Sequence, residues 1–251
     1  MEETKNINNT EIIVEMKNVK KSFQNNHVLK DINFKLSKGE NLVVLGKSGT
    51  GKSVLIKCIV KLIEVDSGEL SVFNEDILQL KDKALNETRS KIGFLFQSGA
   101  LYDSMTVREN LEFPIKRQSK ILPEDEIENL VKEVLANVGL EDTIDKMPSE
   151  LSGGMRKRIS LARTLILKPE LILYDEPTTG LDPITSKEIS ELILEVQKKY
   201  KTSSIIITHD IKCAKITANR IMVINDGCFI AEGTYDELKE SEDEIVNSFF
   251  K

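Results

Sequence analysis

A glycine-rich stretch near residue 50 has the residue types and the spacing of a phosphate-binding loop. Gly46, Gly51, Lys52 and Ser53 form the pattern Gly-x-x-x-x-Gly-Lys-Ser between the apolar run Asn41–Leu45 and a helical stretch. The glycines allow backbone N–H groups to curl around phosphate oxygens, and the positive end of the helix dipole adds to the attraction. The pattern predicts a nucleotide-binding site made by the whole loop: Gly46, Lys47, Ser48, Gly49, Thr50, Gly51, Lys52, Ser53 and Val54.

Two side chains of this loop are expected to act on the phosphates directly. Lys52 is predicted to reach the β and γ phosphates, and Ser53 is predicted to bind Mg²⁺ through its hydroxyl. A chance glycine-rich turn is the competing interpretation, but the strand before the loop and the helix after it argue against chance.

A second buried run ends in two acidic residues. The apolar residues LILY at 171–174 precede Asp175 and Glu176, and open α/β sheets bind ligands beyond the carboxyl ends of their strands. Asp175 is therefore predicted to hold Mg²⁺ and its water shell, and Glu176 to polarise the attacking water. A strand that merely ends in solvated acids is common by itself, so this prediction depends on the phosphate-binding loop.

Two more strand ends carry polar side chains that could reach the same ligand. Gln97 follows KIGFLF and is expected to face the γ-phosphate and its metal ion, and His209 follows SIIIT. A lone histidine is usually structural, and His27 is interpreted in that way. His209 is expected to hydrogen-bond the γ-phosphate, because several strand ends converge on one ligand. The predicted catalytic set consists of Lys52, Gln97, Glu176 and His209.

A largely parallel sheet is needed to bring these residues together. Apolar runs of strand length alternate with helical patterns through the second half of the chain, which predicts an α/β fold. The runs IIVEM, LKDINFKL and ELSVF add β structure at the N-terminal side. A helix is predicted between Pro123 and Gly139, and an Asp-Gly turn at 226–227 predicts a hairpin.

The length of 251 residues and the composition favour one large domain, or one domain that carries a subdomain. We predict a flexible N-terminal tail at 1–11, a core at 12–240 and a C-terminal tail at 241–251. A helical subdomain is expected at about 98–160, inserted in the core. The last residues, ESEDEIVNSFFK, either dock on this or a partner subunit or fray.

Charge and cysteine content exclude several classes of function. The net charge of −6 argues against a nucleic-acid partner. The three cysteines are far apart and form no CxxC pair, which argues against a zinc site or a disulfide framework. No apolar run approaches the roughly 20 residues of a membrane-spanning helix. If the protein works at a membrane, another chain must supply the spans.

The stretch LSGGMRKRISLAR at 151–163 predicts a second anion-binding turn. Ser152 is expected to cap a helix whose first-turn N–H groups, at Gly153 and Gly154, remain free. A capped helix start is an adequate interpretation by itself. Since the first loop already holds one nucleotide, however, a second phosphate-binding turn makes sense if it serves the nucleotide of a second copy.

Taken together, these motifs resemble the ATP-binding cassette (ABC) ATPase family over about residues 12–240. The phosphate-binding loop, Gln97, LSGGM, LILYDE, TTGLDP and His209 occur in the family's order. The resemblance implies the P-loop NTPase ABC ATPase fold: a mostly parallel sheet with an antiparallel β subdomain and a helical subdomain. It also implies that Phe23 stacks on adenine.

The family resemblance further implies a head-to-tail homodimer with two sandwiched ATP molecules. Each ATP would lie between one subunit's phosphate-binding loop and the Ser152, Gly153 and Gly154 of the other. Asp182, in the GLDP turn, would lie at the interface and link the two sites. A separate membrane permease would dock just after Gln97, at Leu101, Tyr102, Met105 and Val107; ordinary subdomain core is the alternative for these four.

Three longer stretches resemble the ATPase subunit of bacterial phospholipid-transport systems of the Mla type: FLFQSGALYDSMTVRENLEFP, LSGGMRKRISLAR and EPTTGLDPITS. The partners implied are an integral membrane permease, a mammalian-cell-entry (MCE) domain lipid-binding protein and, optionally, a small accessory subunit. The location implied is the cytoplasmic face of the bacterial inner membrane. Met155 is a marker of this group, whereas Lys47 replaces a proline that many members carry.

Three other functions compete with phospholipid transport. An ABC transporter of another small solute is the nearest alternative. A non-transport ABC ATPase acting on DNA or ribosomes would usually carry two cassettes or long coiled-coil insertions, and this sequence has neither. A scaffold that binds ATP without turnover is disfavoured by the intact Lys52, Asp175, Glu176 and His209.

Overall fold

The computed structural model describes residues 11–118 and 121–250. Apart from Glu11, the predicted tail at 1–11 lies outside these residues, as does Lys251 of the C-terminal tail. The carboxylate of Glu11 accepts a hydrogen bond from the ammonium of Lys38 at 2.7 Å.

Ten strands form the sheet: β1 (Ile12–Phe23), β2 (Asn26–Ser37), β3 (Asn41–Leu45), β4 (Ser67–Val72), β5 (Glu75–Asp76), β6 (Ile92–Leu95), β7 (Leu171–Asp175), β8 (Ser203–Thr208), β9 (Arg220–Asn225) and β10 (Cys228–Gly233). The α-helices are α1 (Lys52–Ile59), α2 (Asp82–Ser90), α3 (Val107–Lys116), α4 (Glu124–Val138), α5 (Gly153–Leu165), α6 (Pro183–Tyr200), α7 (Ile211–Thr217), α8 (Tyr235–Lys239) and α9 (Glu244–Asn247).

The sheet combines a parallel part with an antiparallel part, in the order β5-β4-β1-β2-β10-β9-β3-β8-β7-β6. Strands β9, β3, β8, β7 and β6 run parallel to one another, whereas β1, β2, β4 and β5 pair antiparallel. Every residue of β3, β7 and β8 is buried, because both faces of this part of the sheet are covered. The predicted α/β fold with a mostly parallel core is confirmed.

Several elements follow the sequence pattern closely. Strand β3 has the bounds of the apolar run at 41–45, and the helical pattern PITSKEISELILEVQKKY, which predicts a helix at 183–200, forms α6 over those residues. Helix α4 begins after Pro123 and ends at Gly139, whose φ of 65° is left-handed. Helices α3, α4 and α5 pack against one another and share a hydrophobic core with one face of the sheet. The division into a core and a helical subdomain at about 98–160 stays a prediction; helix α5 itself continues to Leu165.

Two features near α1 differ from the pattern. After the phosphate-binding loop, the pattern SVLIKCIVKLI predicts a helix at 53–63, but α1 ends at Ile59 and Lys61 adopts a φ of 50°. The guanidinium of Arg89 donates to the carbonyls of Val60 and Lys61, at 2.9 Å each, and so satisfies the helix end. Arg89 belongs to α2, a polar helix for which the sequence pattern gave no prediction.

The C-terminal residues pack against their own chain. Val246 in α9 is fully buried, and Phe249 and Phe250 cover part of the core, with the Phe250 ring centroid 5.4 Å from that of Tyr235. Of the two expectations for this segment, docking therefore holds through Phe250. Among the described residues, no helix is long and apolar enough to cross a membrane.

Candidate functional site

A cleft of about 450 Å³ lies where the carboxyl ends of β3, β6, β7 and β8 meet. The predicted residues that line it are Phe23, Ser48, Gly49, Gly51, Lys52, Ser53, Val54, Gln97, Glu176 and His209. Val28 and Thr179 complete the lining and were not predicted. The fold therefore brings the strand-end residues to one place, as the parallel arrangement requires.

The phosphate-binding loop is held by its own backbone. Gly51 precedes α1 with a φ of +97°, a conformation that side chains rarely allow. The ammonium of Lys52 donates to the carbonyls of Gly46 at 2.6 Å and Lys47 at 3.0 Å, and it lies 3.3 Å from a carboxylate oxygen of Glu176. Thr50 adds a hydrogen bond to the Lys47 carbonyl at 2.9 Å. The lysine is thus fixed at the cleft before any ligand enters.

Ser53 and Asp175 form a pair of oxygen ligands beside the loop. The Ser53 hydroxyl donates to the Asp175 carboxylate at 3.0 Å. Burial raises the pKa of Asp175, and this effect is opposed first by the Ser53 hydrogen bond and then by the charge of Lys57. A hydroxyl and a carboxylate are ligands that Mg²⁺ accepts, and a cation would offset the cost of burying the carboxylate. The pair therefore fits a magnesium ion.

Glu176 is fixed in position by its neighbours. One carboxylate oxygen lies 2.8 Å from Nδ1 of His209 and accepts a hydrogen bond from the Thr179 hydroxyl at 3.2 Å. The backbone of Glu176 has a φ of 49°, and its N–H donates to the Ile207 carbonyl at 3.0 Å. A left-handed conformation at a glutamate is uncommon and is maintained here by the surrounding bonds.

Gln97 and Phe23 lie at the more open parts of the cleft. Gln97 is exposed beyond the end of β6, and Phe23 is 45 % exposed at the end of β1. The ammonium of Lys21 lies 5.3 Å from the centroid of the Phe23 ring, within the range of a cation–π contact. The ring is accessible to a planar ligand from the cleft.

Lys157 is a polar residue near the cleft that the sequence reasoning missed. It is only 7 % exposed, and its ammonium donates to the main-chain carbonyl of Gln97. Burial lowers the pKa of Lys157, an effect that the charges of Asp175 and Glu176 oppose. A signal was present, since helical spacing places Lys157 on the stripe formed by the buried Leu161 and Leu165.

The Ser152 turn lies outside this cleft. Ser152 caps α5 by accepting a hydrogen bond from the Met155 N–H at 3.2 Å, as expected of an N-cap. A side chain at Gly154 would meet Thr185 at 2.6 Å, so this glycine permits the close approach of α5 to α6. Gly153 has room, with Leu181 as its nearest neighbour at 3.7 Å.

Asp182 lies beside the Ser152 turn and caps α6. Its carboxylate accepts hydrogen bonds from the N–H groups of Ile184 and Thr185, at 3.0 and 3.1 Å. The Thr185 hydroxyl adds a third bond at 2.6 Å, and these bonds lower the pKa of Asp182. Helices α5 and α6 therefore begin next to each other on one surface.

A larger cleft of about 1080 Å³ lies on the side of α3 and α5, where a permease was expected to dock. Tyr102 lines it together with Phe113, their ring centroids 4.8 Å apart. The other three residues of the expected surface do not line this cleft. Val107 is fully buried because it begins α3 against the core, and Leu101 packs against the same core.

Comparison with known proteins places this geometry in a family. A family model described as "ABC transporter" matches residues 29–179. The "Intermembrane phospholipid transport system ATP-binding protein MlaF" of Haemophilus influenzae is 37 % identical over 95 % of this chain and 90 % of its own length. The "Methionine import ATP-binding protein MetN" of Clostridium acetobutylicum is 38 % identical over 90 % of this chain and 70 % of its own length.

A solved structure of the ATP-binding cassette MJ0796 has the same fold. It is described as the dimeric structure of a post-hydrolysis state bound to ADP and Pi. Its TM-score is 0.81 at 32 % identity, over 89 % of this chain and 99 % of the MJ0796 chain.

Proposed function

Because this chain belongs to the ABC transporter family, as a subunit that binds and hydrolyses ATP, we propose that it powers the movement of phospholipid between membranes. The observation that carries the proposal is the similarity to MlaF, which extends over 95 % of this chain and 90 % of that relative. The proposed partners are a membrane permease, an MCE-domain lipid-binding protein and, optionally, a small accessory subunit. The proposed location is the cytoplasmic face of the bacterial inner membrane, through the permease.

In the proposed mechanism, the cleft holds one ATP. The phosphate-binding loop and Lys52 bind the phosphates, Phe23 stacks on the adenine, and Ser53, Asp175 and Gln97 hold Mg²⁺. When bound, Mg²⁺ neutralises part of the phosphate charge.

Glu176 is the proposed general base. Its carboxylate lies between Lys52 at 3.3 Å and His209 at 2.8 Å, so its orientation is set before water arrives. The bond to Nδ1 leaves the other ring nitrogen of His209 for the γ-phosphate, and Gln97 approaches the same group from β6. These positions suit in-line attack of a water on the γ-phosphate, in which Glu176 accepts the proton.

The site is completed by a second copy of the chain. Ser152, Gly153 and the N–H groups of the first turn of α5 provide an anion-binding helix start that does not line the cleft of their own subunit. In a head-to-tail homodimer this turn, with Gly154, would contact the ATP of the partner, and Asp182 would lie at the interface. The dimeric state described for MJ0796 supports the dimer on which this proposal depends.

Transport of a different solute is the second candidate, because MetN is as similar in identity as MlaF. Purification from membranes, followed by mass spectrometry and reconstitution in vesicles, distinguishes the two. We expect a permease and an MCE-domain protein to co-purify, and ATP to drive the transfer of labelled phospholipid. Recovery of a methionine permease, or ATP-driven uptake of an amino acid without lipid transfer, would overturn the phospholipid assignment.

A matched pair of variants tests the docking cleft. Tyr102→Ala removes an aromatic ring from the cleft, while Lys132→Met changes an exposed lysine on α4. We expect the Tyr102 variant to lose the permease during purification while it keeps its own ATPase activity. Retention of the permease at the level of the Lys132 variant would contradict docking at this cleft.

A further inference from the structure

Lys157 makes contacts that binding and hydrolysis of ATP, as described above, leave unexplained. It lies on α5, shortly after the Ser152 cap, and its buried ammonium bonds to the Gln97 carbonyl at the end of β6. The same ammonium lies 3.5 Å from the carbonyl of Glu176, just beyond β7. One cation therefore joins the helix that begins at the Ser152 turn to two strand ends of the cleft.

These contacts reach a different part of Glu176 from the one that Lys52 contacts. Lys52 on α1 contacts the carboxylate, whereas Lys157 contacts the main-chain carbonyl. That carbonyl also accepts from the Thr179 N–H at 3.3 Å, and the N–H of Glu176 bonds to Ile207. The bonds on both sides of the residue hold its φ of 49°, a conformation that costs free energy in their absence.

A second cation of α5 holds the next part of the same segment. The guanidinium of Arg163 donates to the carbonyls of Gly99 at 3.0 Å and Ala100 at 2.8 Å. The chain after β6 is thus attached to α5 at two points, and Lys157 is the point nearest the cleft. Displacement of α5 would act on Gln97 and Glu176 through Lys157.

We propose that Lys157 is a positioning residue that links the Ser152 turn of a subunit to Gln97 and Glu176 of that same subunit. When the Ser152 turn engages the ATP of a second copy, α5 and the main chain at Glu176 move as one unit. Engagement of the turn in the dimer thereby acts on the main chain at Gln97 and Glu176, and so on the rate of hydrolysis. This inference rests on the proposed roles of Glu176 and of the Ser152 turn.

The test compares Lys157→Met, Lys157→Arg and the surface control Lys132→Met. Methionine keeps the length and apolar contacts of the lysine but cannot donate to a carbonyl. Because a small displacement of a reacting group has large effects, we expect Lys157→Met to lower kcat by about 10- to 100-fold. The KM for ATP should stay within about twofold, since the phosphate-binding loop is untouched. Arginine should recover most of the lost kcat, and Lys132→Met should match the wild type.

Three results would overturn the inference. They are a Lys157→Met variant with normal kcat, a loss expressed in KM rather than kcat, and an arginine variant no better than the methionine variant. If the methionine variant does not fold, Lys157→Leu, which also lacks a donor, replaces it and is measured against Lys157→Arg with the same criteria. Glu176→Gln is assayed in parallel. If this variant retains turnover, the proposed role of Glu176 fails. If it is inactive while Lys157→Met has a normal kcat, only the inference about Lys157 is refuted.

Discussion

The nucleotide cleft and the Ser152 turn differ in how far the chain itself supplies hydrogen-bond partners for their polar groups. In the cleft, Lys52, Ser53, Asp175, Glu176 and His209 all bond to one another or to nearby carbonyls. At the turn, the Ser152 hydroxyl bonds to Met155 on its own helix, and Ser152 and Gly153 are exposed.

The difference indicates what each region requires from outside the chain. The cleft has its side chains fixed in advance, so it can bind a nucleotide within one subunit. The Ser152 turn offers a helix start with free N–H groups at an open surface, which suits a phosphate that another subunit carries. One site is preorganised, and the other is, in our proposal, a half-site that needs a second copy.

The largest effect is expected in the cleft, from Glu176→Gln. Loss of the proposed general base should reduce turnover by about 10²- to 10⁴-fold, because proton transfer from the attacking water would lose its acceptor. ATP binding should persist, since Lys52 and the loop are unchanged, and the dimer should accumulate with ATP bound. Phosphate release measures turnover, and the nucleotide retained on a gel-filtration column measures bound ATP. Turnover near the wild-type rate would remove Glu176 from the chemistry.

Ser152→Arg should abolish ATP-dependent dimerisation while single-subunit ATP affinity stays within about twofold, because the long cation obstructs only the half-site. The matched variant Ser152→Ala separates obstruction from loss of the cap, which costs about 1 kcal/mol. We expect the alanine variant to dimerise on ATP. Light scattering with and without ATP gives the answer, and an arginine variant that dimerises normally would show that the turn is not at the interface.

A smaller effect concerns the stability of the nucleotide-free protein. Burial raises the pKa of Asp175 above 3.8, so the carboxylate is protonated more readily in the folded protein than in the unfolded one. Its contribution to the free energy of unfolding therefore falls as the pH rises from 3.8 through the folded-state pKa. Asp175→Asn should therefore raise the Tm of the nucleotide-free protein at pH 7, and the advantage should shrink as pH falls toward 3.8. Thermal melts across this range measure it. If the variant is less stable than the wild type at pH 7, burial of the Asp175 carboxylate does not carry the expected desolvation cost. If the variant still gains stability from Mg²⁺ and ATP, the proposed metal site at Ser53 and Asp175 is contradicted.

The smallest effect is expected outside both regions. Phe250→Ala removes a partly buried ring that packs on Tyr235, and we expect a loss of about 1 kcal/mol in the free energy of unfolding. Denaturant titration measures this loss, and kcat should remain unchanged. A large fall in kcat would mean that the C-terminal segment acts on the cleft.

Much of this structure could be predicted because local signals agree with the fold. Pro123 and Gly139 bound α4, and the uniformly apolar β3 is buried throughout. The predicted residues of the cleft meet because parallel strands end at one edge of the sheet. Residues that directly follow different strands could therefore be predicted to lie close together.

The rest depended on contacts between distant segments. Helix α1 ends at Ile59 because Lys61 adopts a left-handed φ of 50° and turns the chain. Arg89, on a helix without an apolar stripe, bonds to the Val60 and Lys61 carbonyls just beyond the helix. Val107 was predicted to belong to the surface that docks a permease, yet the packing of α3 buries it. The position of Lys157 on an apolar stripe was visible in the sequence, but the carbonyls that accept its hydrogen bonds were not.

The central claim, that one subunit's cleft and another's Ser152 turn share each ATP, is tested most directly with mixed dimers. In a Glu176→Gln background, one chain carries Lys52→Met and the other carries Ser152→Arg. Each chain alone should remain monomeric with ATP, because the first lacks a working cleft and the second a working turn. The mixture should form dimers that retain one ATP each, as measured by light scattering with labelled nucleotide. A Ser152→Arg chain that dimerises alone with ATP bound, or a mixture that stays monomeric, would contradict the account.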